Sequence, residues 1–159
     1  MGVEIERKFL VDHEKWKKLK KPAGTHYHQG YLLDDLNCTI RVRLAGTKGF
    51  VTIKGINSGI SRKEYDYKIP AADASELIKD FSKSAVEKIR YRIKFAGHLW
   101  EVDEFLGDNE GLIMAEIELK TEKEEFEKPG WIAGEVSDDD QYYNSNLSKN
   151  PFKNWKKAN

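Results

Sequence analysis

The chain has 159 residues, 34% of them charged, and its 27 lysines and arginines are balanced by 27 aspartates and glutamates. That length suits a single domain over residues 1–159, able to bury roughly two thirds of the surface its unfolded chain exposes. The even balance excludes the dominant basic footprint of a nucleic-acid or anionic-membrane binder, so any anion must be held locally.

The lone cysteine, Cys38, excludes an intrachain disulfide. No apolar run approaches the length of a membrane helix, and the N-terminus lacks the apolar centre of a signal peptide. The expectation is a cytoplasmic protein without a membrane partner.

In chain order, residues 3–11 (VEIERKFLV) alternate with the period of a strand, with Glu4, Glu6 and Lys8 on one face and Ile5 and Phe9 on the other. A short helix after Asp12 carries Trp16 and Leu19. Strands follow over about 27–33, 39–44 and 50–54, with Gly46 and Gly49 marking a hairpin turn, and over 63–69, ended by Pro70. Asp73 and Glu76 form a capping-box pair for a helix over 73–84, striped by Leu77, Ile78 and Phe81. AVEKIRYRIKFAGHLWEVDEF reads as two strands joined at Ala96-Gly97, and LIMAEIELK as one more. Thr121 with Glu124 offers a cap for a short helix stopped by Pro129, and Ser137 with Asp140 for a last helix carrying Tyr143 and Leu147. About eight strands with hairpin-length connections predict a mainly β (α+β) fold whose antiparallel sheet packs on something or closes on itself.

Charged residues recur at spacing two in most strands: Glu4 and Glu6, Arg41 and Arg43, Glu64 and Asp66, Lys88 with Arg90 and Arg92, Glu101 and Asp103, Glu116 with Glu118 and Lys120, and Lys54 at the end of its own strand. One such row is the solvent face of a half-buried sheet. Pure acid and pure base rows repeated across strands fit that reading poorly, because like charges facing each other across strands destabilise a sheet. A closed barrel would instead gather one face of every strand in a lumen. Desolvated charges there must pair or bind a charged ligand. Clustered carboxylates suit a hard divalent cation, and arginine and lysine suit phosphate oxygens, so the two sets together specify a polyphosphate bound with metal.

These residues carry a resemblance to the CYTH superfamily, the triphosphate tunnel metalloenzymes. EIERK at 4–8 resembles the family's Glu-x-Glu-x-Lys signature, followed in order by QGYL at 29–32, RVR at 41–43, TIK at 52–54, SRKEYD at 61–66, EKIRY at 87–91, EVD at 101–103, EIE at 116–118 and a terminal V..D..Y.N..L over 136–147. The resemblance implies a closed eight-stranded antiparallel β-barrel, the triphosphate tunnel, with a few short flanking helices. It also implies Mg²⁺- or Mn²⁺-dependent chemistry on a small-molecule triphosphate. Carried over by position, Glu4, Glu6, Glu116 and Glu118 hold metal, and Glu64, Asp66 and Asp103 serve a second metal or support the first. Lys8, Arg41, Arg43, Lys54, Lys88 and Arg90 grip phosphates, with Lys8, Tyr31 and Lys88 as catalytic candidates. Asp66 departs from the family, which often has glutamate there. The chain's compactness resembles short bacterial members, which implies hydrolysis of inorganic tripolyphosphate to pyrophosphate and phosphate. A thiamine or nucleoside triphosphatase, a class IV adenylate cyclase and a non-catalytic polyphosphate-binding module stay open, as does a homodimer.

Other signals carry less. His26 and His28 lie two apart, but no further histidine or cysteine completes a metal site. KIRYRIK interleaves bases with an aromatic as RNA-binding surfaces do, yet the neutral net charge speaks against nucleic acid. GINSG is too short and too poor in glycine for a phosphate loop. Trp100, Trp131, Phe152 and Trp155 read as packing residues.

Overall fold

The computed structural model describes residues 2–155. Among them the chain forms β1 (Gly2–Val11), α1 (His13–Lys18), β2 (Thr25–Asp34), β3 (Thr39–Ala45), β4 (Lys48–Lys54), β5 (Ser61–Ile69), α2 (Ala71–Phe81), β6 (Ser84–Phe95), β7 (His98–Phe105), β8 (Ile113–Glu118), β9 (Ile132–Glu135) and α3 (Asn144–Lys149). Among the described residues, no helix is long and apolar enough to cross a membrane.

The strands run in the order β5-β4-β3-β2-β6-β7-β8-β1, all pairs antiparallel, and β1 returns to β5, so eight strands close into a barrel. The ninth strand, β9, adds to β1. Gly2–Ile5 pair with β5 and Glu6–Leu10 with β8, while Phe9 and Val11 pair with β9. The Glu6 N–H donates to the Ile60 carbonyl and the Lys8 carbonyl accepts from Val136 N–H, so β5 and β9 share one edge of β1 end to end. β9 has little of a strand's sequence pattern, being four residues with a glycine inside.

Alternation along each strand splits the sheet into a polar inner and an apolar outer face. Outside, Phe9, Trp100, Val102, Ala115 and Ile117 pack against Trp16 of α1 and against Leu119 and Trp131, with edge-to-face rings at 5.2 to 5.6 Å joining Trp16 to Trp131 and Phe9 to Trp100. A second outer cluster seats Ala74 and Ile78 of α2 on Val42, Leu44 and Val51. The third cluster lies on the inner face: Leu10, Val86, Phe105 and Met114 share their faces with Lys8, Lys88, Asp103 and Glu116, and they enclose the wholly buried Leu147 of α3. One end of the barrel is therefore filled, and Phe152 and Trp155 pack beside that filling.

Several helix expectations shift. α2 starts at Ala71 and ends at Phe81, because Ser84 already pairs with Tyr31 as the first residue of β6, and Pro70 rather than Asp73 occupies the cap. No helix follows Thr121: the Glu124 carboxylate accepts from Lys120 N–H at 2.6 Å and meets His98 Nε2 at 2.6 Å, closing a turn. Ser137 does not cap a helix either. Its Oγ accepts from Lys8 N–H at 2.9 Å, pinning the segment to β1, and α3 begins only at Asn144. Gly49 lies inside β4, not in the turn, and a Cβ there would stand 2.8 Å from the Ala74 Cβ of α2.

Candidate active site

The inward rows converge on one cavity of about 190 Å³. β1 contributes Glu4, Glu6 and Lys8, β2 Tyr31, β3 Arg41 and Arg43, and β4 Lys54. β5 contributes Glu64 and Asp66, β6 Lys88 and Arg90, and β8 Glu116 and Glu118. Asp103 of β7 lies behind this lining, 1% exposed, with both oxygens taken by Arg90 at 2.7 and 2.8 Å and a Lys88 contact at 2.8 Å. Period-two spacing places Arg62 beside Glu64, and Arg62 also lines the cavity, 3.6 Å from Glu4. Gln29, wholly buried between Tyr27 and Tyr31 on β2, and Tyr143 and Asn144 at the cap and start of α3 are also at the site without having been assigned, as are the lining residues Thr39, Thr52, Arg92, Glu101 and Ser145. Gln29 could have been found by the same spacing; Tyr143 and Asn144 carry no such signal.

Charge in the lumen is unevenly compensated. Lys54 lies 3.0 Å from both oxygens of Glu4 and 3.5 Å from Glu64, and Lys8 lies 2.9 Å from Glu116 and 3.1 Å from Glu6. Among the described residues, no carboxylate stands within ion-pair distance of Arg41 or Arg43. The buried Nε of Arg41 has no hydrogen-bond partner, and its terminal nitrogen donates only to Thr52 Oγ1 at 3.3 Å. Burial, together with the Arg41 and Arg90 guanidiniums, pulls Arg43 down to about 10. The opposite wall has too many acids. Burial and the adjacent Glu116 push Glu6 up to about 8, against the attraction of Lys8. Burial and a hydrogen bond shared with Glu4 push Glu64 up to about 7. Burial also raises Glu4, but Lys54, a hydrogen bond from Glu64 and the Arg62 guanidinium together outweigh it and hold that carboxyl at about 2. Burial and the neighbouring Glu4 and Glu101 raise Glu118. Burial lowers Lys88 to about 7 despite Asp103, with Arg90 and Arg43 adding to the fall.

Among the described residues, no three acidic, histidine or cysteine side chains stand in metal-ligand geometry, and the Lys8 and Lys54 ammoniums lie against the carboxylates. The donor set nonetheless fits a hard divalent cation: it is all carboxylate oxygen, and its members hold protons in each other's company, which a bound cation would replace.

The structure is thus a closed antiparallel barrel, filled at one end, with acid and base rows gathered in its lumen. The CYTH domain profile matches residues 2–151. An inorganic triphosphatase of Acetivibrio thermocellus is 51% identical over 157 residues, 98% of this chain and 99% of the relative. An inorganic triphosphatase of Nitrosomonas europaea is 35% identical over 153 residues, 91% and 96% of the two chains. Among solved structures, the inorganic triphosphatase NE1496 superposes with a TM-score of 0.64 at 33% identity, over 91% of this chain and 97% of that one. A putative adenylate cyclase of Bacillus halodurans, at 16% identity, a TM-score of 0.60 and 77% and 84% coverage, shares the fold. The chain belongs to the CYTH family.

Proposed function

We propose that this protein hydrolyses inorganic tripolyphosphate to pyrophosphate and phosphate, with Mg²⁺ or Mn²⁺ as the cation. The observation that carries this reading is the contrast between the Arg41 and Arg43 guanidiniums, which have no acid partner among the described residues, and a carboxylate cluster around Glu6 and Glu64 whose ionisation burial and like charge oppose. A metal-bound polyphosphate compensates both; a free anion or a free metal compensates one. Apart from the rings of Tyr31 and Tyr143 the lining is polar, which favours an all-phosphate ligand over one with an organic head. The names of the full-length relatives support the same substrate.

Phosphoryl transfer needs in-line positioning and charge neutralisation more than covalent help. Arg41, Arg43, Lys54 and Arg90 grip the phosphates, and Lys8 and Lys88 stabilise the charge that develops on the leaving group. Tyr31 is held beside the same chain of groups through Gln29. Glu116 and Glu118, with Glu4 and Glu6 on the neighbouring strand, would hold the metal; Glu64 and Asp66 would serve a second ion or steady the first. Asp103 orients Arg90 and Lys88 instead of reaching the ligand. When bound, the cation supplies neutralisation of phosphate oxygens and activation of water.

The test is phosphate release from tripolyphosphate, ATP and thiamine triphosphate with Mg²⁺, with Mn²⁺ and with chelator. Metal-dependent release from tripolyphosphate, abolished by chelator, is expected. No release from any of the three, with tripolyphosphate still bound, would replace the hydrolase by a binding module or a cyclase.

A further inference from the structure

Two amides from opposite ends of the sequence tie the phosphate-gripping groups together. Gln29 is 0% exposed. Its Oε1 accepts from Arg43 Nε at 3.1 Å, and its Nε2 donates to Tyr31 Oη at 3.1 Å and to Asn144 Oδ1 at 3.3 Å. Asn144 Oδ1 also accepts from Lys88 Nζ at 2.8 Å. The chain Arg43–Gln29–Asn144–Lys88 thus spans from β3 through β2 and α3 to β6. Its direction is fixed, because Arg43 and Lys88 have only hydrogens to give and the amide nitrogen of Gln29 must face acceptors.

A neutral amide has a specific use here. A carboxylate in its place would hold Arg43 equally well but would neutralise it, and the guanidinium would then compete less well for phosphate oxygens. An apolar side chain would leave the charge but release Arg43 Nε and the Tyr31 hydroxyl from their partners.

We propose that Gln29 is a positioning residue for tripolyphosphate: with Asn144 it orients Arg43, Tyr31 and Lys88, it does so without neutralising Arg43, and it links the α3 segment to the substrate grip. This rests on the triphosphatase reading, whose failure the experiment separates.

Calorimetric binding of tripolyphosphate in chelator, steady-state hydrolysis with Mg²⁺ and thermal melting are measured for the wild type, Gln29→Glu, Gln29→Met and Asn144→Asp. Gln29→Glu is expected to weaken binding by on the order of tenfold to a hundredfold and to raise KM with little change in kcat, as loss of uniform binding does. Gln29→Met is expected to lower kcat as well, since Arg43 and Tyr31 lose their anchor. Asn144→Asp, altering the same node from another element, is expected to weaken binding severalfold. Wild-type affinity in both acidic variants overturns the proposal, and so does a loss of binding that only follows a loss of folded protein in both. A wild type that binds tripolyphosphate without hydrolysing it would remove the hydrolase reading, while the affinities of the variants still decide the role of Gln29.

Discussion

Glu6 shows what residue-scale electrostatics demands of this site. Its proton is held up to about 8 in the folded chain, against an ordinary value of 4.5, because burial and Glu116 both oppose ionisation. Glu64 is held up to about 7 by burial and Glu4. Folding therefore takes up protons between these limits, so the metal-free protein loses stability as pH rises from about 4.5 to about 8. Glu4, held at about 2, contributes stability above 4.5 that disappears only as pH falls through 2. Denaturant titrations in chelator at pH 5 to 8 are expected to show the decline, and Glu6→Gln to flatten it. Glu116 lies against both Lys8 and Arg90. Glu116→Gln should slow Mg²⁺-dependent tripolyphosphate turnover by on the order of a hundredfold to a thousandfold, about 2.7–4 kcal/mol, the scale of losing one preorganised charged group. Near-normal turnover would remove Glu116 from the metal assignment. Charged rows were readable because alternation fixes which side chains share a face. Gln29 and Asn144 lie within QGYL and the terminal V..D..Y.N..L, and Gln29 shares its face with Tyr31 by the same spacing, but neutral residues leave no charge pattern that marks the two as partners.

At the scale of elements, the strands followed from period two and the hairpins from their glycines. The Ala96-Gly97 turn has both residues at positive φ, 48° and 80°, the twist a two-residue hairpin requires. Helix bounds were less readable, because capping-type residues found other partners: Ser137 serves β1 and Glu124 serves His98 and Lys120. Gly49, which the spacing of glycines assigns to the turn, instead serves close approach, with Ala74 Cβ, Ile69 O and Pro70 O within 2.8 to 3.0 Å of where a Cβ would stand. Gly49→Val should cost about 1–3 kcal/mol by overpacking α2 against β4. Urea melts check this, and activity per folded molecule should persist because the residue faces away from the lumen.

For the whole molecule, closure of the barrel and filling of one end define the site. Leu147 of α3 is wholly buried among Val86, Phe105, Leu112 and Met114, three residues beyond Asn144. Leu147→Ala should destabilise the fold by about 2–5 kcal/mol. Because α3 also carries Asn144 to Lys88, the same variant should raise KM for tripolyphosphate in the fraction that stays folded. Unchanged stability in a urea melt would mean that α3 does not hold the barrel end.

The strands, the split into charged and apolar faces and most of the lumen's charges follow from the order of residues alone, since alternation is a local property of an extended chain. That β5 closes on β1 while β9 takes the rest of that edge is visible only in the folded chain. So are the position of Asp103 behind the basic residues and the filling of one mouth by a helix from the far end of the sequence. Those outcomes depend on barrel register and on contacts between residues as far apart as Gln29 and Asn144, which no local pattern encodes.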